Sequence, residues 1–372
     1  MRISGGQVFD LKEGFVSRDV CFDGKLISAR SDGGKVYDAS GCYVIPGLTD
    51  LHFHGCMGRD FSDADAEGLE IMAKYELSRG VTQICPAGMT LLEEQLLKVC
   101  AVAAEHRDTC KEGAELVGIN LEGPFLSMAK KGAQNGEWLH APDVAMFRRL
   151  AEAGRGLVKL VSIAPEEPGA MEFIEAVEGE VTVSIAHTTA DYDTAMEAYR
   201  RGAREATHLF NAMPPFTHRA PGVVGAAFDS PQVRVELICD GVHIHQSVIR
   251  AVFKLFGPER VVLISDTMRA AGMPDGGYTL GGQAVKVEGK YATLADGTLA
   301  GSVTDLMSCM RTAVSFGIPL ADAVRAAAVN PAQVLGIYDR HGSLEPGKLA
   351  NIVVLDSELN VRDVFFHGEL IG

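Results

Sequence analysis

The feature that most constrains this chain is a rhythm. From Pro46 to about residue 337, short apolar runs of strand length alternate with stretches whose apolar residues recur at helical spacing. The runs are Tyr43 to His52, Val81 to Pro86, Leu116 to Glu122, Val158 to Ala164, Val181 to His187, Glu205 to Leu209, Val233 to Asp240 and Val261 to Asp266. Eight βα units in succession predict an α/β fold, a (β/α)8 TIM barrel. Asp191 to Gly202 and Leu320 to Leu335 read as helices of its outer ring, each beginning at a suitable cap. A barrel uses about 250 of the 372 residues. The remainder is accounted for by the two ends of the chain, where Gly-, Asp- and Pro-rich turns separate short β runs: GGQVFD, DVCFDGKLISA and SDGGKVYDASG at the start, and residues 338–372 at the finish. The expected organisation is a small β-sandwich-like domain assembled from 1–45 and 338–372 around a barrel over 46–337.

In such a barrel the C-terminal strand ends share one mouth, so the residues that end the strands are aimed at a common point. Strand one ends in His52-Phe53-His54, and residues two apart on a strand share a face. Strand three ends in Glu122, strand five in His187, strand six in His208 and strand eight in Asp266. A single histidine at a strand end is more often a hydrogen-bonded structural residue than a ligand. Five strands delivering His, His, Glu, His, His and Asp to one end point instead to a metal centre. Its N and O donors, with no thiolate, suit Zn2+ and would also accept Fe2+, Co2+ or Mn2+.

Composition narrows the partners. Against 34 basic residues stand 49 acidic ones, a net charge of −15, which repels nucleic acid and anionic membrane surfaces. An anionic ligand would need a few placed cations. No run approaches the roughly 18 apolar residues of a membrane helix, no apolar leader opens the chain, and the eight cysteines contain no CxxC. These features predict a cytoplasmic protein with buried, reduced thiols.

The strand-end residues, together with the Gly347-Lys348-Leu349-Ala350-Asn351-Ile352-Val353-Val354 tail, resemble the amidohydrolase superfamily over essentially the whole chain. Within it, LEGPF at 121–125, KKGAQN at 130–135, HTTADY at 187–192, THLFNAM at 207–213, DGVH at 240–243 and LADGTLAGS at 294–302 resemble the N-acetylglucosamine-6-phosphate deacetylases. That resemblance implies that Glu122, His187 and His208 hold the main metal, that His52 and His54 resemble the ligands of a second one, and that Asp266 is the acid/base group. Whether one ion or two bind stays open. It also implies that Arg219 and His243 hold a phosphate, with backbone amides from Asn211 and Ala212. Ala133 and Gln134 would contact the sugar, and Leu299 and Gly301 the N-acetyl group; Lys130 and Lys131 read as a solvated rim. Gln134 departs from the histidine that many such relatives carry, which removes one proton carrier but not a hydrogen-bonding group. A homodimer is implied, with Arg219 reaching towards the neighbouring subunit. The galactosamine epimer, a cyclic amide of the dihydroorotase or hydantoinase kind, and a barrel without catalysis serving in an assembly are the competing readings.

Overall fold

The structure is a computed structural model, and it describes residues 1–30, 34–110 and 112–371. The Ser-Asp-Gly part of the expected turn at 31–33 and the last residue of the C-terminal β segment lie outside the described residues.

Among the described residues the barrel strands are Leu48–Asp50, Val81–Ile84, Glu115–Leu116 continued as Ile119–Leu121, Val158–Ile163, Thr182–Ile185, Glu205–Ala206, Arg234–Ile238 and Val261–Ile264. They pair in parallel in chain order. The ring closes at its mouth, where Asp266 N–H donates to His52 O (2.9 Å) and His54 N–H donates to Thr267 O (2.7 Å). One helix follows each strand. Asp191 caps Tyr192–Arg201 by accepting from Thr194 N–H, and Gly202 ends it at φ +127, a conformation that costs a glycine little. The expected helix from Leu320 is continuous but changes winding. Leu320–Val324 and Asn330–Val334 are α-helical, and Arg325–Val329 between them is a π turn placed just before Pro331, which has no N–H to give.

The first expected strand, Tyr43 to His52, divides in two. Tyr43–Pro46 leaves the barrel and pairs with Ile352–Leu355 and Gln7–Asp10, and only Leu48–Asp50 enters it. Gly47 makes the division. A Cβ there would lie 1.9 Å from Thr82 Oγ1 on the second barrel strand, so the two backbones approach as only glycine permits.

Both chain ends build the second layer. One sheet runs Glu369–Ile371, Val361–Phe366, Ile352–Leu355, Tyr43–Pro46, Gln7–Asp10, Gly14–Ser17, and the other runs Leu26–Ser28, Val20–Asp23, Arg2–Ser4, Val36–Asp38. The unbroken apolar run of Ile352–Leu355 follows from its position. Ile352 and Val354 join Ile3, Val8, Phe22 and Phe365 between the two sheets, while Val353 and Leu355 pack with Ile45, Val364 and Phe366 in the core shared with the barrel. A strand buried on both faces has no polar alternate.

After the eighth strand comes a three-stranded antiparallel sheet, Gly276–Leu280, Gln283–Glu288 and Tyr291–Thr293. The eight βα units expected from the sequence do not include this sheet. Its signal was present in the Gly281-Gly282 pair flanked by alternating residues. No helix among the described residues is long and apolar enough to cross a membrane.

Candidate metal centre and active site

The residues past the strand ends converge as the barrel geometry requires. Glu122 directly follows its strand, and His187, His208 and Asp266 each stand two residues beyond theirs. The last three have left-handed backbones, φ +44, +29 and +49, which cost a non-glycine residue about 1–3 kcal/mol each. That strain turns the side chains inward from the rim.

Glu122, His187 and His208 form one cluster and His52, His54 and Asp266 another. His208 Nε2 lies 2.9 Å from Glu122 Oε1, His187 Nε2 lies 3.2 Å from the same oxygen, and the two imidazole nitrogens are 3.2 Å apart. Tetrahedral ligands at about 2.0–2.1 Å from an ion stand roughly 3.3 Å from one another, so the spacing fits a common cation. In the second cluster His54 Nε2 lies 3.3 Å from Asp266 Oδ1 and 3.3 Å from Glu122 Oε2, and His52 Nε2 lies 3.5 Å from Glu122 Oε1. His52 Nε2 is a buried nitrogen with no hydrogen-bond partner, as an unused ligand atom would be.

The ring orientations suit ligation. His187 Nδ1 donates to Lys130 O (2.8 Å) and His54 Nδ1 to Ala87 O (3.1 Å). A carbonyl can only accept, so Nδ1 keeps its hydrogen in each ring and Nε2 is the nitrogen left for a cation. Burial alone would keep these groups uncharged. Instead the Glu236 and Glu122 carboxylates offset that cost and hold the His52 imidazole well above its ordinary value, and the Asp266 and Glu122 carboxylates bring His54 up to about 10. Burial also opposes charge on Glu122 and Asp266, yet neighbouring imidazoles hold both carboxyls below the ordinary range. A cation would replace the protons that now balance these carboxylates.

The clusters lie in a cavity of about 420 Å³. Its wall includes His54, Glu122, His187, His208 and Asp266, and also Ala133, Gln134, Asn211, Ala212, His243, Leu299 and Gly301. Gln134 donates to Glu122 Oε2 (2.8 Å) and accepts from Thr90 N–H (2.7 Å), so it braces the ligand carboxylate. Asn211 N–H is spent inside its own turn on His208 O (2.9 Å). His243 Nδ1 meets Asp240 Oδ2 at 2.7 Å; burial opposes charge on the ring, and Asp240 overcomes it, raising the imidazole above its ordinary value.

Two expected residues stand apart from this wall. His52 is fully buried behind it. Arg219 lies on the exposed loop before the helix Gly222–Asp229 and does not line the cavity of its own chain. Lys130, expected on a solvated rim, lines the cavity and its carbonyl orients His187; Leu280 of the inserted sheet, which the sequence did not single out, walls the cavity as well. Reading the sequence also missed Glu236. The signal for Glu236 was a carboxylate between Val235 and Leu237 in the interior of a barrel strand. A larger cavity of about 630 Å³ beyond Asp240 and Asp305 holds neither ligand cluster.

A closed parallel barrel that gathers two carboxylates and four imidazoles at its mouth defines a metal-dependent hydrolase. A model of the amidohydrolase family matches residues 43–371. The chain is 36% identical to N-acetylglucosamine-6-phosphate deacetylase of Bacillus subtilis (strain 168), over 94% of this chain and 91% of that one. It is 34% identical to N-acetylgalactosamine-6-phosphate deacetylase of Escherichia coli O157:H7, over 88% and 87%. A solved structure of N-acetyl-D-glucosamine-6-phosphate deacetylase from Mycobacterium smegmatis superposes with a TM-score of 0.93 at 33% identity, covering all of both chains. The chain therefore belongs to the amidohydrolase family, among its N-acetylglucosamine-6-phosphate deacetylases.

Proposed function

We propose that this protein hydrolyses the acetamide of N-acetylglucosamine 6-phosphate, releasing acetate and glucosamine 6-phosphate in amino-sugar catabolism. The observation that carries the reading is the Glu122–His187–His208 cluster, at 2.9 to 3.2 Å spacing, in one cavity with Asp266 and the His243–Asp240 pair. Glu122, His187 and His208 would hold a divalent ion, most simply Zn2+, with His52 and His54 placed for a second; Fe2+, Co2+ and Mn2+ suit the same donors. When bound, such an ion activates water and polarises the amide carbonyl. Asp266, ionised at neutral pH, takes a proton from the attacking water and delivers it to the amine nitrogen as the C–N bond breaks. Gln134 spends one N–H on Glu122 and keeps the other for a sugar oxygen. Leu299 and Gly301, with Ala133, enclose the N-acetyl end.

The phosphate is held by the His243 imidazolium and the Ala212 amide. Arg219 serves the site of the neighbouring subunit in a homodimer, since in its own chain it lies away from the cavity. A cytoplasmic setting accords with a phosphorylated sugar substrate. The galactosamine epimer is the second reading, supported by the similarity to the Escherichia coli protein. Acetate release from the two phosphorylated sugars and from unphosphorylated N-acetylglucosamine, before and after chelation and metal replenishment, tests all of this. We expect a metal-restored activity on the glucosamine phosphate that is about a hundredfold or more above that on the free sugar, because two charge-assisted contacts are worth about 1.5–3 kcal/mol each. Equal rates on both sugars would remove the phosphate assignment.

A further inference from the structure

The seventh barrel strand, Arg234–Ile238, carries a carboxylate that the chemistry above does not use. Glu236 is fully buried. Its Oε2 accepts from His52 Nδ1 (2.8 Å) and from the backbone N–H of His208 (3.1 Å), while its Oε1 has no hydrogen-bond partner. A buried carboxylate is expensive unless it is paired, and here every bond it makes runs to the ligand clusters. Four residues on, near the strand's end, Asp240 accepts from His243 Nδ1 in the same manner (2.7 Å). One strand thus supplies a carboxylate to each of two imidazoles.

We propose that Glu236 is a positioning residue for the metal centre. By accepting from Nδ1 it keeps a hydrogen on that nitrogen and turns His52 Nε2 towards Glu122 and Asp266, and by accepting from His208 N–H it pins the strained turn, φ +29, that aims His208 inward. The proposal rests on the reading of His52 and His208 as metal ligands. Gln at this position would keep an oxygen where Oε2 stands and put its amide nitrogen at the unpartnered Oε1 site, preserving both bonds without the charge; Met would keep the bulk and lose the acceptor.

The test uses the full chain, stripped of metal, with Zn2+ added against a competing chelator, and 15N-histidine NMR of the metal-free protein. Glu236→Met should bind Zn2+ about 10–100-fold more weakly, lose the hydrogen-bonded His52 Nδ1–H resonance and keep the wild-type fold by circular dichroism. Glu236→Gln should retain that resonance, shifted upfield, with affinity between the two. If Glu236→Met does not fold, Glu236→Gln decides: wild-type affinity with an unshifted resonance overturns the proposal. A folded Glu236→Met with wild-type Zn2+ affinity overturns it as well. Failure of the underlying metal reading has a different signature, in which His52→Asn and His208→Asn bind Zn2+ as the wild type does while the Nδ1–H resonance still responds to Glu236.

Discussion

Individual side chains here are governed by what lies behind them as much as by what they face. Asp266 stands among imidazoles that keep it ionised despite its burial, so it can accept a proton at neutral pH. Asp266→Asn keeps the shape and removes the acceptor; kcat should fall by several orders of magnitude, with substrate affinity and metal content near wild type. Near-normal turnover would remove Asp266 from the acid/base role. His243 yields a prediction in pH. Its imidazole titrates above the ordinary value of about 6.5 because Asp240 outweighs the cost of burial. The charge is complete below 6.5 and is lost as pH rises through the folded value. KM for the phosphorylated sugar should therefore rise on the alkaline side. Asp240→Asn withdraws the stabilising carboxylate and should bring that rise to lower pH. Superimposable KM profiles for the two proteins would count against a charged His243.

At the scale of elements, the clustering of these residues was legible because a parallel barrel sends every strand end to one mouth, so His52, His54, Glu122, His187, His208 and Asp266 needed only their strand assignment to be grouped. The break at Gly47 was only partly legible. Pro46-Gly47 is a turn signal and coincides with the expected start of the barrel, yet a single strand was expected from Tyr43 to His52, and only the pairing shows that one half joins Ile352–Leu355 and the other Val81–Ile84. The contact with Thr82 marks it. Gly47→Ala inserts a methyl where 1.9 Å is available and should cost about 1–3 kcal/mol by overpacking, seen as a lowered Tm of the metal-free protein. An unchanged Tm would mean that the sheet and barrel can separate there without loss.

For the whole molecule, the proposed phosphate site calls for a cation from outside the chain that binds the sugar. With a net charge of −15 the protein offers no general attraction to an anion, and Arg219 lies outside the cavity of its own chain. A two-fold dimer that carries Arg219 into the opposite site makes a specific prediction. Arg219→Ala and Asp266→Asn chains are each poor alone, but when co-expressed they should assemble mixed dimers with one complete site. Random assortment then restores about a quarter of the wild-type sites. No recovery on mixing, with the mixed dimer confirmed by mass, would place Arg219 outside the neighbouring site.

What the sequence by itself determined is the alternation of strands and helices and the chemical identity of the strand ends. Both are properties of short segments, set by periodicity and by which residue stands where a strand stops. Only the tertiary structure decided which ring nitrogen each histidine presents, because that depends on a carbonyl or carboxylate from another strand: Lys130 O for His187, Ala87 O for His54, Glu236 for His52. It decided equally that the Gly276–Thr293 sheet brings Leu280 to the cavity wall and that Arg219 does not line that cavity. Those are relations across large separations in the chain, and no local pattern of residues records them.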